Sequence, residues 1–203
     1  TNLKTLWLAV ANHRQRRLYP MLEQTKVLHC LSVMAGIKTA NLFSYKFTDR
    51  KELTDEIRRL NGVCVPKGLR IVILSTSEDR ALIYAYRISK LREDFKDRLA
   101  NSMLTRRSYS VDCPETCIKQ LAEKIRPGCD FPHEIGLFLG YPPEDVYGFI
   151  TNHADCAKCV GAWKVYGDED RAKKKFRQYE KCKKVYCKYY SRFNSFGQLV
   201  VAV

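Results

Sequence analysis

LRIVILSTSEDRALIYAYR, residues 69–87, decides the fold. Two runs rich in β-branched and aromatic residues flank the polar group Ser77, Glu78, Asp79 and Arg80, which is the pattern of a β-hairpin closed by a short loop. Upstream, ANLFSYKF from Ala40 to Phe47 reads as another strand entering the core. Downstream, GAWKVY from Gly161 to Tyr166 reads as a third or fourth strand, and the apolar segment from Ser195 to Val203 is suited to pair with the sheet edge. The remaining periodic segments are helical. The expected class is α+β: a single, mostly helical domain with a small three- to four-stranded, mainly antiparallel sheet.

The helices follow from apolar spacing and from their end signals. Val27, Leu28, Leu31 and Met34 recur at helical spacing between Glu23 and Met34, and Gly36 ends that segment. KELTDEIRRLN buries Leu53, Ile57 and Leu60 behind Asp49 as N-cap. SKLREDFKDRLANSML reads as one helix with Leu91, Phe95 and Leu99 on one side. After a polar break, Asp112 is expected to cap a helix with Pro114 in its first turn and Cys117, Leu121 and Ile125 inward, ended by Pro127 and Gly128. PHEIGLFLG gives a short helix between Pro132 and Gly140, and YPPEDVYGFI restarts at Pro143 with Glu144 and Asp145 where carboxylates favour the helix dipole. From Glu169 to Phe193, Ala172, Phe176, Tyr179, Cys182, Tyr186, Tyr189 and Phe193 form one apolar stripe on a long helix.

The 203 residues, 45% of them hydrophobic, suffice for one substantial core. Residues 1–20 contain no acid and four bases, Lys4, Arg14, Arg16 and Arg17, so they read as an extension outside a domain spanning 21–203. Lys plus Arg outnumber Asp plus Glu by 36 to 22, a net +14 that favours anionic partners such as nucleotides, nucleic acid or acidic proteins. No apolar run reaches the roughly 18–20 residues of a membrane span, so no membrane partner is expected. The nine cysteines are an odd number in a chain large enough to need no staples, and we read them as mostly reduced thiols in a cytoplasm. No Gly-rich phosphate loop of either standard kind is present, which argues against a conventional nucleotide enzyme.

Three groups of residues offer chemistry. Cys156 and Cys159 have the two-residue spacing of a metal or redox pair, with Cys182 as a further ligand candidate, and together they suggest a metal-stabilised interaction module. His133 and Glu134 stand at a helix start where an imidazole can be tuned for proton transfer, and Cys30 is the nucleophile candidate that His133 would activate if the fold joined them. Residues 135–150 have the spacing of a helix-turn-helix, which together with the basic C-terminal helix suggests nucleic-acid binding. The groups that would enter a groove, Pro142, Pro143, Glu144 and Tyr147, are nevertheless poor base readers.

With these residues in view, the chain from about Leu28 onward resembles a bacterial family catalogued as domain of unknown function 3793, found in anaerobic Gram-positive organisms. The resemblance is carried by His29-Cys30, by AGIKTANLFSY from Ala35, LIYAYR from Leu82, PHEIGLFLGYPPEDVYGFI from Pro132, GAWKVYGD from Gly161, and KCKKVY around Cys182. Where many members of the family have a cysteine directly before the glycine of the GxWKVY segment, this chain has Val160, with Cys159 one residue earlier. The family carries no activity with it. Its matched segments place uncommon polar residues, and we expect His29, Lys38, Asn41, Arg87, Lys164 and Tyr166 to converge with His133 in a cleft for a small anionic ligand or cofactor. That cleft is where a reaction would run if the protein is an enzyme. The sequence specifies no particular cofactor.

Overall fold

β3 (Arg80–Arg87) is the middle strand of a sheet of order β1-β3-β2, flanked antiparallel by β1 (Ala40–Lys46) and β2 (Leu69–Ser77). The computed structural model describes residues 30–126, 130–189 and 196–202. The expected boundary near residue 20, His29, and Pro127 to Cys129 lie outside these residues. Pairing of β2 with β3 runs as far as Ser77 with Arg80, so the hairpin closes on Glu78 and Asp79 alone. A register shift between Ile73 and Ser75 leaves Leu74 as the extra residue of a bulge, and its side chain is buried.

The sheet separates two cores, which explains why ALIYAY is without a charged residue: a strand covered on both faces has no polar side to show. Ile83 and Ala85 face the first core with Ile71, Phe43, and Leu53, Ile57 and Leu60 of α1 (Arg50–Cys64). Tyr84 and Tyr86 face the second, which is built from α2 (Ile88–Asp94), α3 (Arg98–Thr105), α4 (Pro114–Lys124), α5 (Ile135–Phe138) and α6 (Pro143–Thr151). Asp49 caps α1 as expected, accepting from Lys51 N at 2.6 Å and Glu52 N at 3.2 Å. A third, smaller core of Trp163, Val165 and Ala172 sits under α7 (Glu169–Tyr189).

Several local expectations are corrected. The segment from Ser89 to Leu104 is two helices, because Asp97 accepts from Leu99 N and Ala100 N at 2.8 and 3.0 Å and so starts α3 afresh; Leu99 turns outward while Phe95 stays buried. Cys113, not Asp112, is the N-cap residue of α4. GAWKVY does not join the main sheet: β5 (Lys164–Val165) pairs with β4 (Cys159–Val160) in a separate two-stranded ribbon. The described residues of the C-terminal segment add no strand. They form α8 (Phe196–Leu199), bury Leu199 and Val200 in the first core, and donate Val201 N to Met34 O at 3.0 Å.

Arg87 ties these ends together. Fully buried at the end of β3, it donates Nε to Val33 O (2.6 Å), Nη1 to Lys67 O (3.0 Å), and Nη2 to Met34 O and Val201 O (both 2.7 Å). A guanidinium suits four carbonyls arriving from three chain segments because its donors are fixed in a planar fork. Arg87 is therefore an internal strut and not the expected ligand-binding cation.

Candidate functional site

The site begins at the end of the helical segment 30–34. Gly36 adopts φ +71° there, and Ile37 N and Lys38 N both donate to Ser32 O at 3.0 Å, a left-handed helix stop that delivers Lys38 to the start of β1. Lys38 Nζ donates to Asn41 Oδ1 at 2.8 Å and sits 5.5 Å from the Tyr141 ring centre and 6.0 Å from that of Tyr179. Burial pushes its amine down to about 8, partly offset by the Cys30 thiol nearby.

Opposite stands Asp94 at the end of α2. Thr39 Oγ1 donates to Asp94 Oδ2 at 2.5 Å, and burial holds this carboxyl above the usual range although Thr39, Lys90 and Lys175 pull the other way. Gly140, at φ +71°, makes this contact possible: a Cβ there would lie 2.5 Å from Thr39 Oγ1 and 3.0 Å from Asp94 Oδ2.

The floor is aromatic. Tyr141 stacks on Trp163 with ring centres 5.0 Å apart, and Phe176 meets Trp163 edge-on at 4.6 Å. Asp145, in the first turn of α6, fixes Trp163 by accepting its indole N–H at 2.7 Å on Oδ2. Its Oδ1 accepts Tyr166 N and Gly167 N, both at 2.7 Å, so one buried carboxylate holds the whole WKVYG turn.

Between these walls lies a cleft of about 350 Å³. Its cations are Lys38, Lys90, Arg171 and Lys175, and its acids are Glu93, Asp94, Asp97, Glu144 and Asp168. The acids are already engaged: Asp94 by Thr39, Asp97 by the start of α3, Asp168 by Arg171 N, Glu93 by Lys96 and Glu144 by Arg171. By contrast, Lys38, Lys90 and Lys175 have no carboxylate within ion-pair distance among the described residues.

A family model described as a protein of unknown function (DUF3793) matches residues 27–200. The chain belongs to the DUF3793 family. Every cleft residue of this DUF3793 protein, from Ile37 to Tyr179, falls inside the matched region. No curated protein and no solved structure matches it.

The other residues singled out from the sequence are dispersed. Asn41 is the hydrogen-bond partner of Lys38, and Cys30 is buried in the first core close to it. Neither Arg87, His133, Lys164 nor Tyr166 lines the cleft. His133 is exposed against the edge of Phe149, whereas Glu134 is buried and accepts from Tyr109 Oη at 3.0 Å and Arg107 Nε at 3.4 Å. The neighbours thus occupy opposite environments and make no acid–base pair. Lys164 Nζ is tied to Ala154 O at 2.6 Å, and Tyr166 packs on Gly148 with its hydroxyl out of solvent and unpartnered among the described residues. α6 therefore meets the WKVY segment through Asp145 and Gly148.

Cys156 is exposed in a loop where His153, Ala154 and Cys156 all take positive φ, and Cys159 lies in the ribbon near Glu169. Cys182 faces Leu31 O at 3.8 Å, thirteen residues along α7 from Glu169, or about 20 Å at 1.5 Å per residue. The three thiols do not converge, and no group of three or more His, Cys, Asp or Glu suited to a metal ion occurs among the described residues.

Sequence reading overlooked Lys90, Asp94, Asp145, Trp163, Arg171, Lys175 and Tyr179. Part of this was visible: Arg171, Lys175 and Tyr179 stand four residues apart on one face of a helix, which meets the apolar stripe at Tyr179.

Proposed function

We propose that this DUF3793 protein binds a small anionic ligand or cofactor, one with a planar portion, in the cleft between Lys38, α2 and α7. The supporting observation is that each acid of the cleft has a hydrogen-bond or ion-pair partner of its own, while Lys38, Lys90 and Lys175 have no carboxylate within ion-pair distance among the described residues. Tyr141 and Trp163 line the cleft beside those charges, and aromatic lining next to cations suits anionic ring compounds. The described cysteines are in no disulfide, which suits a bacterial cytoplasm. A thermal-shift panel of inorganic phosphate and pyrophosphate, mono- and dicarboxylates and nucleotides tests the reading. At least one anion should raise Tm in the wild type and lose most of that effect in Lys90→Ala with Lys175→Ala. No shift from any member of the panel would contradict it.

A second reading has its own observation. Lys174, Arg177, Lys181, Lys184 and Lys188 are all exposed, at alternating steps of three and four, and so form one basic stripe opposite the apolar face of α7. Over fourteen residues it extends about 21 Å, long enough to follow several phosphates of a nucleic acid. The segment 135–150 supports that role less well, since α5 is wholly buried and α6 carries no base. Binding of duplex DNA or RNA that weakens steeply with salt and is lost in Lys181→Glu with Lys184→Glu would favour this reading; no binding at low salt removes it.

A further inference from the structure

We propose that Lys38 is a nucleophile that forms an imine with the carbonyl carbon of a small anionic aldehyde or ketone bound in the cleft. This rests on the anion-binding reading above and names the class of ligand.

The placement of Lys38 is what a reactive amine needs. Its Nζ lines the cleft, donates to the neutral Asn41 amide at 2.8 Å, and is bounded by the faces of Tyr141 and Tyr179. An ammonium held by an amide and two rings recovers less than a carboxylate would return for its lost hydration, so the neutral form, which carries the lone pair, is favoured. An amine pushed down to about 8 has roughly three-hundred-fold more free base at neutral pH than one at 10.5. The hydroxyls of Tyr141 and Tyr179 remain protonated because burial raises both, the latter to about 12, and they bring no competing negative charge.

The rest of the reaction has groups at hand. Lys90, Arg171 and Lys175 provide the countercharge for a carboxylate or phosphate on the substrate, and Trp163 and Tyr141 a surface for its apolar part. Asp94, bonded to the hydroxyl of the residue after Lys38, lines the same cleft, and burial raises its carboxyl above the ordinary range. The amine attacks the carbonyl carbon, the C–N bond forms, and the π electrons move to oxygen. A proton passes from nitrogen to that oxygen to give the carbinolamine. With a second proton from the Asp94 side the oxygen departs as water, leaving the protonated imine. One carbonyl and one amine become one imine and one water, with no change of oxidation state and no outside reagent.

The test uses the full chain and two probes of one shape: pyridoxal 5′-phosphate, an anionic aromatic aldehyde, and pyridoxine 5′-phosphate, which has an alcohol in place of the carbonyl. After brief exposure to one equivalent of the aldehyde and reduction with cyanoborohydride, peptide mass mapping should find Lys38 labelled at least ten-fold above the average of the other lysines. The folded Lys38→Arg variant, checked by circular dichroism, should lose that preference. Label spread over surface lysines with Lys38 no better than average overturns the proposal, whatever the variant does. Quenching of tryptophan fluorescence by the alcohol, without preferred labelling by the aldehyde, overturns the imine and leaves the anion site standing. Failure of both probes to bind or label counts against both.

Discussion

Asp145 and Trp163, eighteen residues apart, are joined by a 2.7 Å hydrogen bond from the indole N–H to Oδ2, and the second oxygen of that carboxylate holds the backbone of Tyr166 and Gly167. One buried acid therefore sets both the floor of the cleft and the turn leading into α7. Asp145→Ala would strand three donors away from water, and we expect a loss of about 3–5 kcal/mol. Asp145→Asn should fall between it and the wild type, since the amide keeps one acceptor. Urea unfolding followed by tryptophan fluorescence measures both.

Arg87 makes a related prediction elsewhere. Its four bonds join residues 33 and 34, the turn at Lys67, and the C-terminal segment at Val201. Lysine has one nitrogen where arginine has a fork, so Arg87→Lys should lose about 2–4 kcal/mol although the charge is kept. Hydrogen exchange should locate the loosening at residues 196–202. Unchanged protection there would mean that Arg87 does not anchor the C-terminal segment.

Gly140→Ala places a methyl group against Thr39 and Asp94 at a backbone angle that alanine disfavours. The expected loss is about 2–3 kcal/mol. Because the contact forms the wall of the cleft, any anion that stabilises the wild type should stabilise this variant less.

The amine of Lys38 gives a pH dependence with a definite sign. Its folded value of about 8 lies below the 10.5 of the unfolded chain, so between those limits the unfolded state binds more protons and stability rises with pH. Below about pH 8 the full burden of burying the charge is present. Lys38→Met removes it, at the loss of the Asn41 hydrogen bond and the contacts with Tyr141 and Tyr179. We expect the variant to be more stable than the wild type by about 1–2 kcal/mol at pH 7, allowing for partial solvent screening, with the difference shrinking as pH rises toward 10.5. Paired unfolding curves across pH 6–10 read this difference directly.

The parts of the fold written in local chemistry were legible. The hairpin, β1, and the starts of α1 and α6 follow from strand residues, the Asp49 cap and Pro143, all of which act within a few residues. The break at Asp97 was hidden because Leu91, Phe95 and Leu99 keep the same spacing whether the helix runs on or restarts. Strand propensity marked Lys164–Val165 as extended and could not say that its partner is Cys159–Val160 instead of the sheet. Among the uncommon polar residues, Lys38 and Arg87 look alike in sequence, each a cation in an apolar setting. They part company only when the fold surrounds Arg87 with carbonyls and sets Lys38 against an amide facing a cleft. Asp145 reads locally as an acid in a first helical turn, and its three donors arrive from a ribbon far along the chain.

The central claim is that Lys38 is a cleft amine with no carboxylate partner among the described residues until an anion arrives, and its own titration measures that most directly. Following the Lys38 side chain by NMR over pH 6–11, the account predicts a midpoint near 8 in the free protein, moving upward when an anion identified by thermal shift occupies the cleft. A midpoint at the ordinary lysine value, unmoved by that anion, would contradict it.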